Sequence, residues 1–213
     1  MNVSHKKNTL NYCLFLIKVI LLSALPFNIA ISEGTKIGSI TEIAGDVIAI
    51  TEEGDERELA VFDKIFLKDE ILIGENSSAT IQFDDNTTII LKELTSININ
   101  EFEKSGAKNI FKSTLGKGEI IIESGSIAKN NNGKMLVDLS NMSLGVRGTR
   151  INVGIKTDGK SKVALAEDSF GDVGEIEITS EGQKTNLTST EEVVEISESR
   201  EIATRQQSDE EKE

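Results

Sequence analysis

Cysteine, histidine, tyrosine and proline occur once each in the 213 residues, and tryptophan not at all. The four single residues, His5, Tyr12, Cys13 and Pro26, all fall within the first 32. That opening stretch starts with Lys6 and Lys7, runs apolar from Tyr12 to Leu25 with only Lys18 and Ser23 interrupting, breaks at Pro26 and reaches the small residues Ala30 and Ser32. This is the layout of a secretory signal peptide cut after Ser32. The rival reading is an uncleaved span, since residues 10–31 are long enough to cross a bilayer. Cys13 sits inside the apolar run rather than just after it, so there is no lipobox. Once the leader is removed, 181 of the 213 residues remain, without His, Cys, Tyr, Trp or Pro. Cysteine nucleophiles, imidazole bases, His/Cys zinc sites and disulfides are thereby excluded. Phenylalanine is the sole aromatic left, at positions 62, 66, 83, 102, 111 and 170.

Positive charge is scarce as well. The leader takes three of the 23 Lys and Arg and none of the 36 Asp and Glu, so the remaining chain carries 20 against 36 and a net charge of −16. Such a surface repels phosphate backbones and anionic headgroups, which argues against nucleic acid as a partner and leaves membrane contact only to a retained leader. A length of 181 residues suits one domain with a substantial core.

What the chain does have is alternation. Short apolar runs recur at Val47–Ile50, Ile71–Ile73, Ala79–Phe83, Thr88–Leu91, Ile97–Ile99, Glu119–Glu123, Met135–Leu139, Arg150–Ile155, Lys162–Ala166, Glu175–Thr179 and Glu192–Ile196. Runs rich in Ile and Val, with Gly, Asn or Asp turns between them, predict many short strands and an all-β domain. "ATIQFDDNTTIIL" reads as a hairpin closed by the turn Asp84–Thr87. No window from Ile37 to Ile196 carries a helical stripe. Both a sandwich or barrel and a solenoid of short rungs fit this meander. From Ser197 to Glu213 only Ile202 and Ala203 are apolar, which predicts a disordered or partly helical tail, with Glu201 and Arg205 spaced to support one helical turn. The organisation expected is therefore a leader over 1–32, an all-β domain over 33–196 and an acidic polar tail over 197–213.

The stretch "LGVRGTRINV", Leu144–Val153, holds a change of parity. Leu144 and Val146 are apolar at even positions, Ile151, Val153 and Ile155 at odd ones, and a strand of period two cannot keep both sets on one face without a bulge or a corner. The break falls at "RGTR". Gly148 accepts the positive φ that such a corner commonly needs, and Thr149 can bond free backbone groups there. Arg147, between Gly145 and Thr149 on its own face, is placed to reach a carboxylate or a free carbonyl. Gly145, Arg147, Gly148 and Thr149 are the residues singled out, for geometry before chemistry.

These same residues carry a resemblance. "LGVRGTRINV" followed by "DGKSKVALAED" resembles the central signature of FecR-type domains, named for the periplasmic regulator of ferric citrate transport. "SITEIAGDVIAI", "IFLKDEILIGENSSATIQFDDNTTIIL", "LGKGEIIIESG" and "GEIEITSEGQKTNLTSTEEVVEI" are similar to other recurrent phrases of the family, so the likeness runs from about Lys36 to Ile196. Asp168 stands where the family usually has glycine. The eleven residues ahead of the apolar run are too few for the sigma-factor-binding segment of the family's signalling members. The resemblance implies a single FecR-like β domain in the periplasm or outside the cell.

Other functions are weaker. Paired carboxylates or Ser/Lys nucleophiles are the only enzyme chemistry on offer, and no motif organises them, so no catalytic residue is assigned. The acids of "FDDN" and "EEGDE" match neither an EF-hand loop nor a glycine-rich nonapeptide, so no metal or cofactor is expected. The expectation is an exported, non-catalytic interaction or envelope-signalling module whose partner is another envelope or secreted protein. The alternative is a periplasmic sensor held in the membrane by an uncleaved leader, acting with a signal-transduction system.

Overall fold

A computed structural model of the chain describes residues 34–106 and 108–208; the leader with its cleavage point and the last five residues lie outside that range. Within it run seventeen strands. The N-terminal set is β1 (Lys36–Ala44), β2 (Val47–Ile50), β3 (Glu56–Glu58), β4 (Lys64–Phe66), β5 (Glu70–Ile73), β6 (Ser78–Phe83), β7 (Thr88–Leu91), β8 (Ser96–Lys104) and β9 (Asn109–Glu123). After a single helical turn, α1 (Ser126–Lys129), come β10 (Gly133–Asp138), β11 (Ser143–Arg147), β12 (Arg150–Ile155), β13 (Ser161–Ala166), β14 (Glu175–Ser180), β15 (Gln183–Leu187), β16 (Glu192–Ile196) and β17 (Ile202–Gln206). Among the described residues no helix is long and apolar enough to cross a membrane.

Alternation explains these strands one by one. In β6, Ala79, Ile81 and Phe83 are buried while Ser78 and Gln82 are exposed, which is the pleat written in side chains. The hairpin to β7 pairs Ala79 with Leu91 and Gln82 with Thr88, and Asn86 supplies the positive φ its turn requires.

The strands build two layers. One has the order β4-β1-β6-β7-β9-β12-β13-β16-β17. The other has the order β3-β2-β5-β8-β9-β10-β11-β14-β15. β9 belongs to both: residues 109–117 pair with β8, and residues 118–123 pair with β7 or β12. Through it all seventeen strands form one open sheet, doubled over at Gly116–Gly118 and not closed into a barrel. Every pairing is antiparallel except that of β9 with β10. Strands β1 to β8 fill both layers on one side of β9, and β10 to β17 fill them on the other.

The inner faces meet in one apolar core of Ile, Val, Leu and Phe. Phe83 from the first layer stands edge-on to Phe111 of the second, with centroids 4.9 Å apart, and Phe102 joins them at 5.7 Å from Phe111. Leu144 and Val146 of β11 and Ile151 and Val153 of β12 all point into this core, although β11 lies in the second layer and β12 in the first.

Three features differ from the reading of the sequence. Residues Ile202–Gln206 are not frayed or helical: they pair as β17 with β16, Ile202 packs on the core, and Arg205 reaches Glu195 across the ladder rather than Glu201 along a helix. A neighbouring strand satisfies a backbone that its own side chains could not bury. Strands β3 and β4, of three residues each, are too short to show a period. The turn α1 interrupts the otherwise all-strand region between β9 and β10.

Candidate functional site

Thr88, Glu123, Arg150 and Ala166 stand side by side in the first layer, so the loops next to them gather on one rim. These are Asp84–Thr87, the segment 124–132 with α1, the crossover Gly148–Thr149, and the loop 167–174. Gly148 has φ +59°, and a Cβ there meets nothing nearer than Lys129 at 3.7 Å, so the position demands conformation rather than space.

Buried polar groups stitch the rim together. The Thr149 N–H donates to Ser124 Oγ at 2.8 Å, Ser124 N–H donates back to the Thr149 carbonyl at 3.1 Å, and Thr149 Oγ1 donates to the Ala166 carbonyl at 3.1 Å. Thr149 is fully buried and thus turns inward, away from the solvent face that Arg147 occupies. Asp85, also fully buried, accepts from Thr87 N–H and Thr87 Oγ1, each at 2.9 Å, and from Ile127 N–H at 3.3 Å. One carboxylate from the β6–β7 hairpin therefore holds the start of α1.

A second carboxylate holds its end. Asp168 accepts from Lys129 Nζ at 2.8 Å and from the N–H groups of Phe170 and Asp172 at 2.9 and 3.0 Å. Lys129 above all, and then those two N–H groups, pull its pKa down to about 2. It is accordingly a fixed anion at neutral pH and unsuited to proton transfer. The Lys129 ammonium also lies 5.3 Å from the ring centre of Phe170, which it steadies by cation–π attraction. Phe170 is 82% exposed and Val173 is 42% exposed. Gly174 brings this loop against the crossover: a Cβ there would sit 2.0 Å from the Arg147 carbonyl oxygen.

Between loop and crossover lies a cleft of about 420 Å³ lined by Lys129, Asn130, Arg147, Gly148, Asp168 and Asp172. Arg147 is exposed beside it, and its side chain has no hydrogen bond or ion pair among the described residues. Gly145 stays on the outer face of β11, opposite Glu177 of β14 and apart from the cleft. Of the four residues chosen from the sequence, Arg147 and Gly148 line the cleft and Thr149 anchors it from within. Asp168, Lys129, Asp85 and Ser124 were not legible as a site. An "Asp-x-x-Gly" turn signal at Asp168–Gly171 is in the chain, but its meaning depends on a lysine 39 residues away. Among the described residues no group of three or more His, Cys, Asp or Glu side chains is placed to hold a metal ion. The acids of "FDDN" are engaged otherwise, Asp84 with Lys36 at 2.7 Å and Asp85 within the rim.

Residues 69–169 match the family model described as FecR protein, a span that includes α1, the crossover and Asp168. Two crystal structures of a protein assigned as an anti-sigma factor, from Parabacteroides distasonis ATCC 8503, share the fold with a TM-score of 0.52 at 16% identity, over 64% of this chain. The chain spans 59% of the length of that protein. A cell surface anchoring domain is similar over 30% of this chain and 86% of its own, at 34% identity and a TM-score of 0.30. No curated protein matches the chain.

Proposed function

Because the chain carries a FecR domain over residues 69–169, we propose that it is an exported, non-catalytic module of envelope signalling that docks another envelope or secreted protein through the rim around Arg147 and Phe170. The observation that carries this reading is the mounting of Phe170. A largely exposed aromatic ring stands on a loop tied down by three hydrogen bonds to a buried carboxylate, and that loop lines one cleft with an arginine whose side chain has no partner among the described residues. Aromatic and arginine side chains carry most of the energy of protein interfaces when they are held rigid at the centre. A loop that served only to connect β13 with β14 would gain nothing from showing a phenylalanine to water.

The test is photocrosslinking in the native envelope, with a photoreactive residue at position 170, at 147, or at the distant exposed position 53. The proposal expects one saturable adduct from 170 and 147 and none from 53, weakened about tenfold by Phe170→Ala when the photoreactive group is at 147. Adducts from all three positions alike, or from none, overturn it. The mass of the natural N-terminus tests export: a chain starting at Glu33 is released, and one starting at Met1 is the anchored sensor.

A further inference from the structure

A second cavity, of about 540 Å³, opens on the outer face of the first layer, on the other side of the crossover from Arg147. Ile151 and Val153 of β12 are fully buried in the core, so Arg150 and Asn152 alternate outward onto this face. Asn152 lies between Ile121 of β9 and Ala164 of β13, and these two side chains make an apolar floor. Ala166 stands next to Arg150 in the ladder. The ladder of β13 with β16 ends at Ala164 and Val193, and Glu191, two residues beyond that pair, lines the same cavity as Ala166. Arg150 and Glu191 thus line one cavity from strands two ladder spacings, about 10 Å, apart.

The charges around this gap are not equivalent. Lys92 at one end is paired with Glu119, and Glu123, beside Arg150, is engaged by Ser169. Arg150, Asn152, Glu167 and Glu191, by contrast, show no side-chain hydrogen bond or ion pair among the described residues, although Arg150 and Asn152 are half-buried. A half-buried guanidinium that makes no ion pair or hydrogen bond, although Glu123 stands beside it in the ladder, leaves its donors open to a ligand. Its separation from Glu191 is kept by alanines where larger side chains would fill the gap.

We propose that this cavity is a binding site for a small zwitterionic peptide, with the ligand's carboxylate received by Arg150 and Asn152 and its ammonium group by Glu191. Arginine offers a planar fork to a carboxylate, and the amide of Asn152, two residues along the same strand, adds a donor on the same side. Ile121 and Ala164 accept the apolar part of the ligand. The volume suits a ligand of two or three small residues.

The experiment uses the exported chain and trialanine with free termini as probe, followed by NMR of the Arg Nε–H signals and the Ala164 and Ala166 amides. Saturable shifts at Arg150, Ala164 and Ala166 are expected. N-acetyl or C-amide trialanine, and the variants Arg150→Gln and Glu191→Gln, are expected to weaken binding by about tenfold each, whereas Arg200→Gln, at an exposed arginine outside the cavity, leaves it unchanged. Doubly blocked trialanine binding as well as the free peptide, or no saturable shift up to about 10 mM, overturns the site. Arg150→Gln replaces a side chain without protein partners, so an unchanged melting temperature separates lost binding from lost folding. Neither failure touches the rim around Phe170.

Discussion

Asp168 ionises far below neutral pH because an ammonium group and two backbone N–H groups converge on it. Its folded pKa of about 2 lies under the ordinary value of 3.8. The stability it contributes is therefore complete above the unfolded carboxyl pKa and is lost as pH falls through about 2. Asp168→Asn keeps an acceptor for the Phe170 and Asp172 N–H groups but gives up the charge facing Lys129. In urea titrations the variant is expected to be less stable than the parent at pH 5, with the difference shrinking toward zero as pH approaches about 2. A difference of constant size across that range would mean that the side chain acts through shape alone.

At the scale of elements, the short strand β3 is held at the edge of its layer by a three-residue ladder with β2 and by one ion pair. Arg57 pairs with Asp69, which is almost fully buried, donates to the Lys64 carbonyl at 3.0 Å, and lies 5.2 Å from the Phe66 ring centre. Burial pushes the Asp69 pKa up, opposed by the Phe66 N–H and by Arg57. A raised folded pKa stabilises the fold most below the unfolded value of 3.8 and loses that contribution as pH rises through the folded value. Removing the guanidinium in Arg57→Ala takes away one of the two opposing influences and leaves a buried carboxylate unpaired. The variant is expected to lose about 2 kcal/mol at neutral pH and to recover part of it in acid, with Asp69→Asn restoring stability in the same background. Denaturant curves at pH 4 and 7 check this. A loss that is the same at both values points to the Arg57–Phe66 packing instead.

The elements also show how far alternation reaches. Strands such as β6, β12 and β14 are legible because five or six residues repeat the period of two. The first half of β9 alternates as well, but buried Ser113 stands where a hydrophobic residue would mark the face. β17 carries only Ile202 on the core, and its existence depends on the free edge of β16.

For the whole molecule, growth from β9 outward leaves unlike ends. The outermost strands are β3 and β4, three residues each, at one end, and β15 and β17, five residues each, at the other. Short edges resist pairing with other chains, and longer ones invite it. Removing β17 would uncover β16, where Val193 and Ile196 are fully buried. A chain ending at Ser197 is expected to self-associate at concentrations where the full chain is monomeric, as read by light scattering, despite a net charge that opposes association. A monodisperse truncated chain would show that β17 is dispensable for covering that edge.

The pattern of residues by itself determined the all-β class, the inward and outward faces of the longer strands, the hairpin at Asp84–Thr87, and the break in parity between Val146 and Ile151. All of these are local consequences of a two-residue period and of turn chemistry. Only the tertiary structure decided that β11 and β12 lie in different layers, that Lys129 meets Asp168, and that Arg150 and Glu191 line one cavity. A ladder joins residues far apart in the chain, and the period of a strand says which way a side chain points but not which strand lies beside it.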